Sequence, residues 1–105
     1  MTNAAVGLLE VYGLVTAFMS ADAGCKAGNV ELELCDKNKP KNPESLPVPL
    51  LVLVKFRGQV ADVEAAMEAA MAEADRYAGY VQHFIIPSPT EDTEKMLKIC
   101  AFDTR

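Results

Sequence analysis

Apolar and polar positions along the chain switch repeatedly between a period of two and a period near 3.6, and each switch marks a new element. The run Ala5 to Val11, AVGLLEV, predicts a first strand buried on both faces for most of its length and ending at Gly13. From Leu14 the period lengthens. Leu14, Phe18, Ala21 and Cys25 fall at i, i+4, i+7 and i+11, one stripe of a helix that Gly28 stops, with Lys26 suited to its C-terminal dipole. Asn29 to Cys35, NVELELC, alternates Val30, Leu32 and Leu34 with Glu31 and Glu33, as a strand with one wet face does. Leu50 to Arg57, LLVLVKFR, closed by Gly58, predicts a third and more central strand.

Between Gln59 and Tyr77 the apolar positions Val60, Val63, Met67, Ala70, Met71 and Ala74 keep helical spacing while carboxylates fill the rest, so this is the most strongly patterned helix. Gly79 ends it, and Tyr80 to Ile86, YVQHFII, predicts a fourth strand. Ser88-Pro89-Thr90-Glu91 reads as a capping box with Ser88 as N-cap, opening a short helix through Met96, Leu97 and Ile99.

The order is β-α-β-β-α-β plus a terminal helix. It predicts an α+β, ferredoxin-like fold, a βαββαβ antiparallel sheet with two helices on one face and a short C-terminal helix. All 105 residues fit one domain, with one interruption. Lys37 to Pro49, KNKPKNPESLPVP, thirteen residues between the second and third predicted strands, holds four of the six prolines. A hairpin loop is usually far shorter, and long loops inside compact domains tend to carry function. Proline stiffening gives this one a reach of roughly 30 to 40 Å at about 3.1 Å per residue, so it projects.

Charge and composition narrow the partners. A net charge of −5 and no clustered basic surface outside 37–49 argue against nucleic acid. No apolar run approaches a bilayer span and the start lacks a signal-peptide pattern, so a cytoplasmic location is expected. Cys25, Cys35 and Cys100 lack paired spacing, and with His83 they supply no single-chain metal site; no cofactor is expected. His83 lies mid-strand with no nucleophile at a motif spacing, and the carboxylates of the Gln59 to Tyr77 helix read as a solvated face. Nothing in the pattern points to an enzyme.

Three stretches, AVGLLEVYGLVTAFMSADAGCKAGNVELE, VKFRGQVADVEAAMEAAMAEADRYAG and HFIIPSPTEDTEKML, resemble the bacterial microcompartment shell-protein domain over nearly the whole chain outside the Pro-rich loop. The resemblance implies a homo-hexameric disc that tiles with other shell proteins around encapsulated enzymes, with an axial pore lined by the loop at 37–49. On that view Lys37, Asn38, Lys39, Lys41, Asn42, Glu44 and Ser45 are pore-loop residues. Three lysines opposed by one glutamate would make a cationic ring, attractive to anionic metabolites. Lys26 matches the family's edge lysine, where discs abut, and Ser88 stands where the family usually has a basic residue between two prolines. The loop is longer than in the major hexamers and is similar to that of variants from glycyl-radical-type compartments, some of which hold an iron–sulfur cluster on the axis. Copies of Cys35 gathered by symmetry would be the ligands for an electron-transfer subunit, although the motif for that cluster is not evident. A PII-like nucleotide-sensing trimer shares the element order and the long loop. Against it stand a loop without glycine or arginine and the acidic balance.

Overall fold

In the computed structural model, described over residues 4–33 and 50–98 and for the backbone of 36–38, the predicted order is realised. The elements are β1 (Ala5–Tyr12), α1 (Leu14–Ala27), β2 (Glu31–Leu32), β3 (Asp36–Asn38), β4 (Leu51–Gly58), α2 (Val60–Asp75), β5 (Tyr80–Ile86) and α3 (Glu91–Leu97). All pairings are antiparallel, and the sheet runs β2-β4-β1-β5 with β3 also beside β4. The central strand expected from LLVLVKFR is therefore β4, flanked on both sides.

One face of the sheet carries the core. Ala5, Leu9 and Val11 of β1 and Val52, Val54 and Phe56 of β4 meet Ala17 and Ala21 of α1 and Val63, Ala66, Met67, Ala70 and Ala74 of α2. The period-two alternation of two strands thus closes on the helical stripe that was legible for α2. Val60 at the start of that stripe is exposed, because it precedes the first turn lying on the sheet.

The stripe read for α1 is not the one that packs. Thr16, Ala17, Ser20, Ala21 and Gly24 are buried, whereas Leu14, Phe18 and Cys25 are exposed and only Ala21 is shared with the expected set. Small residues win because the helix lies so close to its neighbours. A Cβ on Gly24 would sit 2.5 Å from the Phe56 ring and 3.1 Å from the Ala66 carbonyl oxygen. At that separation no large side chain fits, so the bulky apolar residues are turned outward. Gly13, which joins β1 to α1, has φ 88°, a conformation that side chains with a Cβ disfavour.

Of the second predicted strand, Asn29 to Cys35, the described residues that pair are Glu31–Leu32, and a further segment of the same sheet edge, Asp36–Asn38, pairs beyond its predicted end. Glu31 and Leu32 pair with Arg57 and Phe56, and Asp36, Lys37 and Asn38 pair with Leu53, Val52 and Leu51. Three residues of the edge separate Leu32 from Asp36 but two of β4 separate Phe56 from Leu53, so one extra residue is accommodated between them, as in a β-bulge. An edge strand tolerates such an insertion because only one side of it is paired. Lys37 and Asn38, expected in the loop, accordingly end β3.

The start of α3 also differs from expectation. Its N-cap is Thr90, whose Oγ1 accepts a hydrogen bond from the Thr93 backbone N–H at 3.2 Å, two residues past Ser88. Ser and Thr are near-equal caps, and Pro89 is buried instead of opening the first turn. The helix ends at Leu97; Ile99 lies outside the described residues.

Candidate functional site

The register fixes where the Pro-rich segment leaves the sheet. Asn38 pairs with Leu51, Leu51 with Tyr12, and the Gly13 N–H donates to the Leu50 carbonyl at 2.8 Å. Tyr12 N–H donates to Gly79 O at 3.1 Å, so the ends of β1, β3 and α2 and the starts of α1, β4 and β5 gather at this one end. Residues 39–49 connect there. Of the expected loop residues, Lys37 and Asn38 are in β3, while Lys39, Lys41, Asn42, Glu44 and Ser45 lie outside the described residues.

Lys26 and Ser88 belong to the other end. The last turn of α1 meets the first turn of α2, where a Cβ on Gly28 would fall 2.3 Å from the Asp62 carbonyl oxygen, and Asn29 N–H donates to Asp62 Oδ1 at 3.2 Å. Ser88 follows Ile86, which pairs with Val6 beside Arg57. Strands of eight residues separate the two ends by roughly 25 Å at about 3.3 Å per residue. Lys26 Nζ lies 2.7 Å from Asp22 Oδ2 with both side chains exposed, and that hydrogen bond and charge hold the ammonium above its ordinary pKa. Ser88 is exposed as well.

Most of the exposed large apolar residues lie on two flanks, with Val60, Tyr77 and Met96 elsewhere. Helix α1 lies over β4 and reaches β2, while α2 lies over β1 and β5. Thr16 Oγ1 accepts from Ala78 N–H just past α2, so this side of α1 faces α2, and the opposite side presents Leu14 and Phe18, with Val15 next to them. Phe18 and Val15 are each 66% exposed. Leu32 joins this flank, because its partner Phe56 belongs to the helix-covered face. The other flank is β5, which among the described residues pairs with β1 alone. It reads YVQHFII, without charge, proline or glycine, and it exposes Val81 and Phe84. Edges of that composition are left undefended only where something covers them. His83 is exposed there, its ring edge-on to Tyr80 with centroids 5.8 Å apart.

Comparison with known proteins decides among the readings. The BMC domain family matches residues 5–89. The chain is 34% identical over 101 residues to the carboxysome shell protein CcmK3 of Halothece sp. (strain PCC 7418), covering 94% of this chain and 90% of that one. It belongs to the BMC-domain family of bacterial microcompartment shell proteins. It is likewise 35% identical over 97 residues to the bacterial microcompartment shell protein PduA of Salmonella typhimurium, covering 92% and 94% of the two chains. A crystal structure of a microcompartments protein from Desulfitobacterium hafniense DCB superposes with a TM-score of 0.68 at 24% identity, over 87% of this chain and 47% of that one, and shares the fold.

As a BMC-domain shell protein the chain has a structural role, and the signalling-trimer alternative is set aside. Its place is the shell of a microcompartment, and no helix among the described residues is long and apolar enough to cross a membrane. Among the described residues no cluster of three or more metal-ligating side chains occurs; Cys35 lies outside them.

Two side chains without a role in the sequence reading prove central to the uncovered face of the sheet. Lys55 is 1% exposed, and its Nζ donates to the Leu97 carbonyl oxygen at 2.8 Å. Arg57 donates to Ala4 O at 3.0 Å, lies 3.3 Å from Glu33 Oε2 through Nε, and pairs with Glu94 through Nη2. Burial works against the guanidinium charge, but the hydrogen bonds and charges of Glu94 and Glu33 outweigh it and raise its pKa. The signal was present in LLVLVKFR: two cations at i and i+2 in an otherwise apolar central strand require partners on one face.

Proposed function

We propose that this shell protein closes into a six-fold disc by a head-to-tail joint, the α1 flank of one copy against the β5 flank of the next, and that residues 39–49 stand at the axis. The observation that carries the assembly is the division of exposed apolar surface between opposite flanks. A heterologous contact uses two different patches of one chain, and rings result when its rotation closes. A two-fold dimer would need one self-complementary patch instead. Support for the axial position comes from Asn38 and Leu50, which the insertion joins, lying at the end of the sheet opposite the edge candidates, so that turning that end inward turns Lys26 and Ser88 outward, toward other discs and other shell proteins.

On this reading the insertion controls small-metabolite passage. Lys37 at the end of β3 and Lys39 and Lys41 beyond it, opposed by Glu44, favour anions once six copies converge. The length of the insertion is also what ties the chain to compartments of the glycyl-radical type. Replacing residues 39–49 by a short Gly/Ser turn leaves β3 paired, and should preserve a hexamer by native mass spectrometry while changing flux of small anions across reconstituted shells. A hexamer with unchanged flux refutes the gating role, and loss of the hexamer places the insertion in the subunit joint.

A further inference from the structure

The face of the sheet opposite α1 and α2 is covered in part by α3, and the way it is held is unusual for a packed helix. Lys55 and Arg57 alternate along β4 with Val54 and Phe56, which face the core, so the two cations point to the other side. There they meet α3 at its middle and at its C-terminal end. Arg57 pairs with Glu94 in the helix, and Lys55 donates to the carbonyl of Leu97, the last helical residue. A cation at that position also complements the helix dipole.

The helix itself brings little apolar burial to the attachment, although Val6, opposite Arg57 on this face of the sheet, is fully buried. Of the seven residues of α3 only Leu97 is buried; Met96, the other large apolar side chain, is 71% exposed. A seven-residue helix is far too short to persist in water on its own, so whatever detaches α3 also unfolds it. The partners left behind remain provided for. Arg57 keeps Glu33 and the Ala4 carbonyl when Glu94 departs, and Glu94 leaves a position in which its Oε2 is buried with no hydrogen-bond partner among the described residues. The cluster packed between α1, α2 and the sheet lies on the other face, while Val6 and Leu51 are apolar residues buried on the face that α3 shares.

We propose that α3 is a charge-latched strap: Lys55 and Arg57 hold it on the open face of the sheet, and it releases as a unit while the sheet and α1 and α2 stay folded. Release uncovers Lys55 on a face that already bears a hollow of about 240 Å³ lined by Leu8, Glu10, Leu53, Gln82 and Phe84. Local opening of this kind draws on the least stable part of a structure and leaves the global unfolding free energy unspent.

Hydrogen exchange read by mass spectrometry on the full-length, assembled protein tests this. Amides of α3 should exchange at least about tenfold faster than those of β1 and β4. Glu94→Gln keeps the side-chain shape and removes its charge, and should speed α3 by about tenfold while leaving β1 and β4 unchanged. Added salt should act in the same direction as the variant. Equal protection of α3 and β4 in the unmodified protein overturns the proposal, as does a Glu94→Gln effect that is absent or is shared equally by the core strands.

Discussion

Removing the ring of Phe18 separates the stability of the subunit from that of the joint. Phe18 lies on the outer side of α1 and is 66% exposed in the single chain, so about two thirds of its surface remains available to a neighbour. Full burial of a phenylalanine contributes about 1.5 to 3 kcal/mol, which leaves roughly 1 to 2 kcal/mol to be gained per joint. A closed ring of six copies has as many joints as subunits, and forming it from monomers brings together five further chains. Phe18→Ala should therefore raise the concentration of half-assembly by roughly 10- to 50-fold. A dilution series followed by native mass spectrometry or sedimentation velocity reads that midpoint directly. Thermal melting of the dissociated chain supplies the control, since a side chain in solvent should move its stability by less than about 0.5 kcal/mol. An unchanged midpoint with an intact fold would refute the α1 flank as a joint. A variant that lowers monomer stability by several kcal/mol would instead show that Phe18 belongs to the core, contrary to its placement here.

Three other substitutions probe the close packing and the end of the sheet that carries Lys26 and Ser88. Gly24→Val places a Cβ 2.5 Å from the Phe56 ring and 3.1 Å from a backbone oxygen of α2, so it should destabilise the subunit by about 1 to 3 kcal/mol, read as a lowered midpoint of chemical unfolding; wild-type stability would mean that α1 can move away from the sheet. Lys26→Ala, at an exposed site paired to Asp22, should leave single discs and subunit stability intact while reducing the extent of disc arrays seen by electron microscopy, and Ser88→Arg should extend them; undiminished arrays in the first variant would remove Lys26 from the edge.

Much of the fold could be read from periodicity because it is a local property of the chain. The fourth strand occupies Tyr80–Ile86 as expected, and the helix read over Gln59 to Tyr77 is realised as Val60–Asp75 with Val63, Met67, Ala70 and Ala74 inward. The fold class followed from element order alone. For the site, the sequence marked the insertion as a projecting segment and the resemblance marked Lys26 and Ser88, but neither could say that Asn38 and Leu50, which the insertion joins, stand at the opposite end of the sheet from Lys26 and Ser88.

What the tertiary structure decided was every choice between two apolar surfaces. Helix α1 has bulky residues at Leu14, Val15 and Phe18 and small ones at Ala17, Ala21 and Gly24, and hydrophobicity alone favours the first set for the interior. The distance of approach to Phe56 and Ala66 reverses the choice, and that distance is fixed by other elements. Pairing along an edge strand is similarly nonlocal: an extra residue between Leu32 and Asp36 costs little where only one neighbour must be matched, so alternation in NVELELC could not reveal the slip. The roles of Lys55 and Arg57 needed α3 folded back over their face, forty residues later in the chain. Sequence pattern determines which elements form and which of their residues are apolar; contact between elements determines which apolar residues are covered, and hence which remain for assembly.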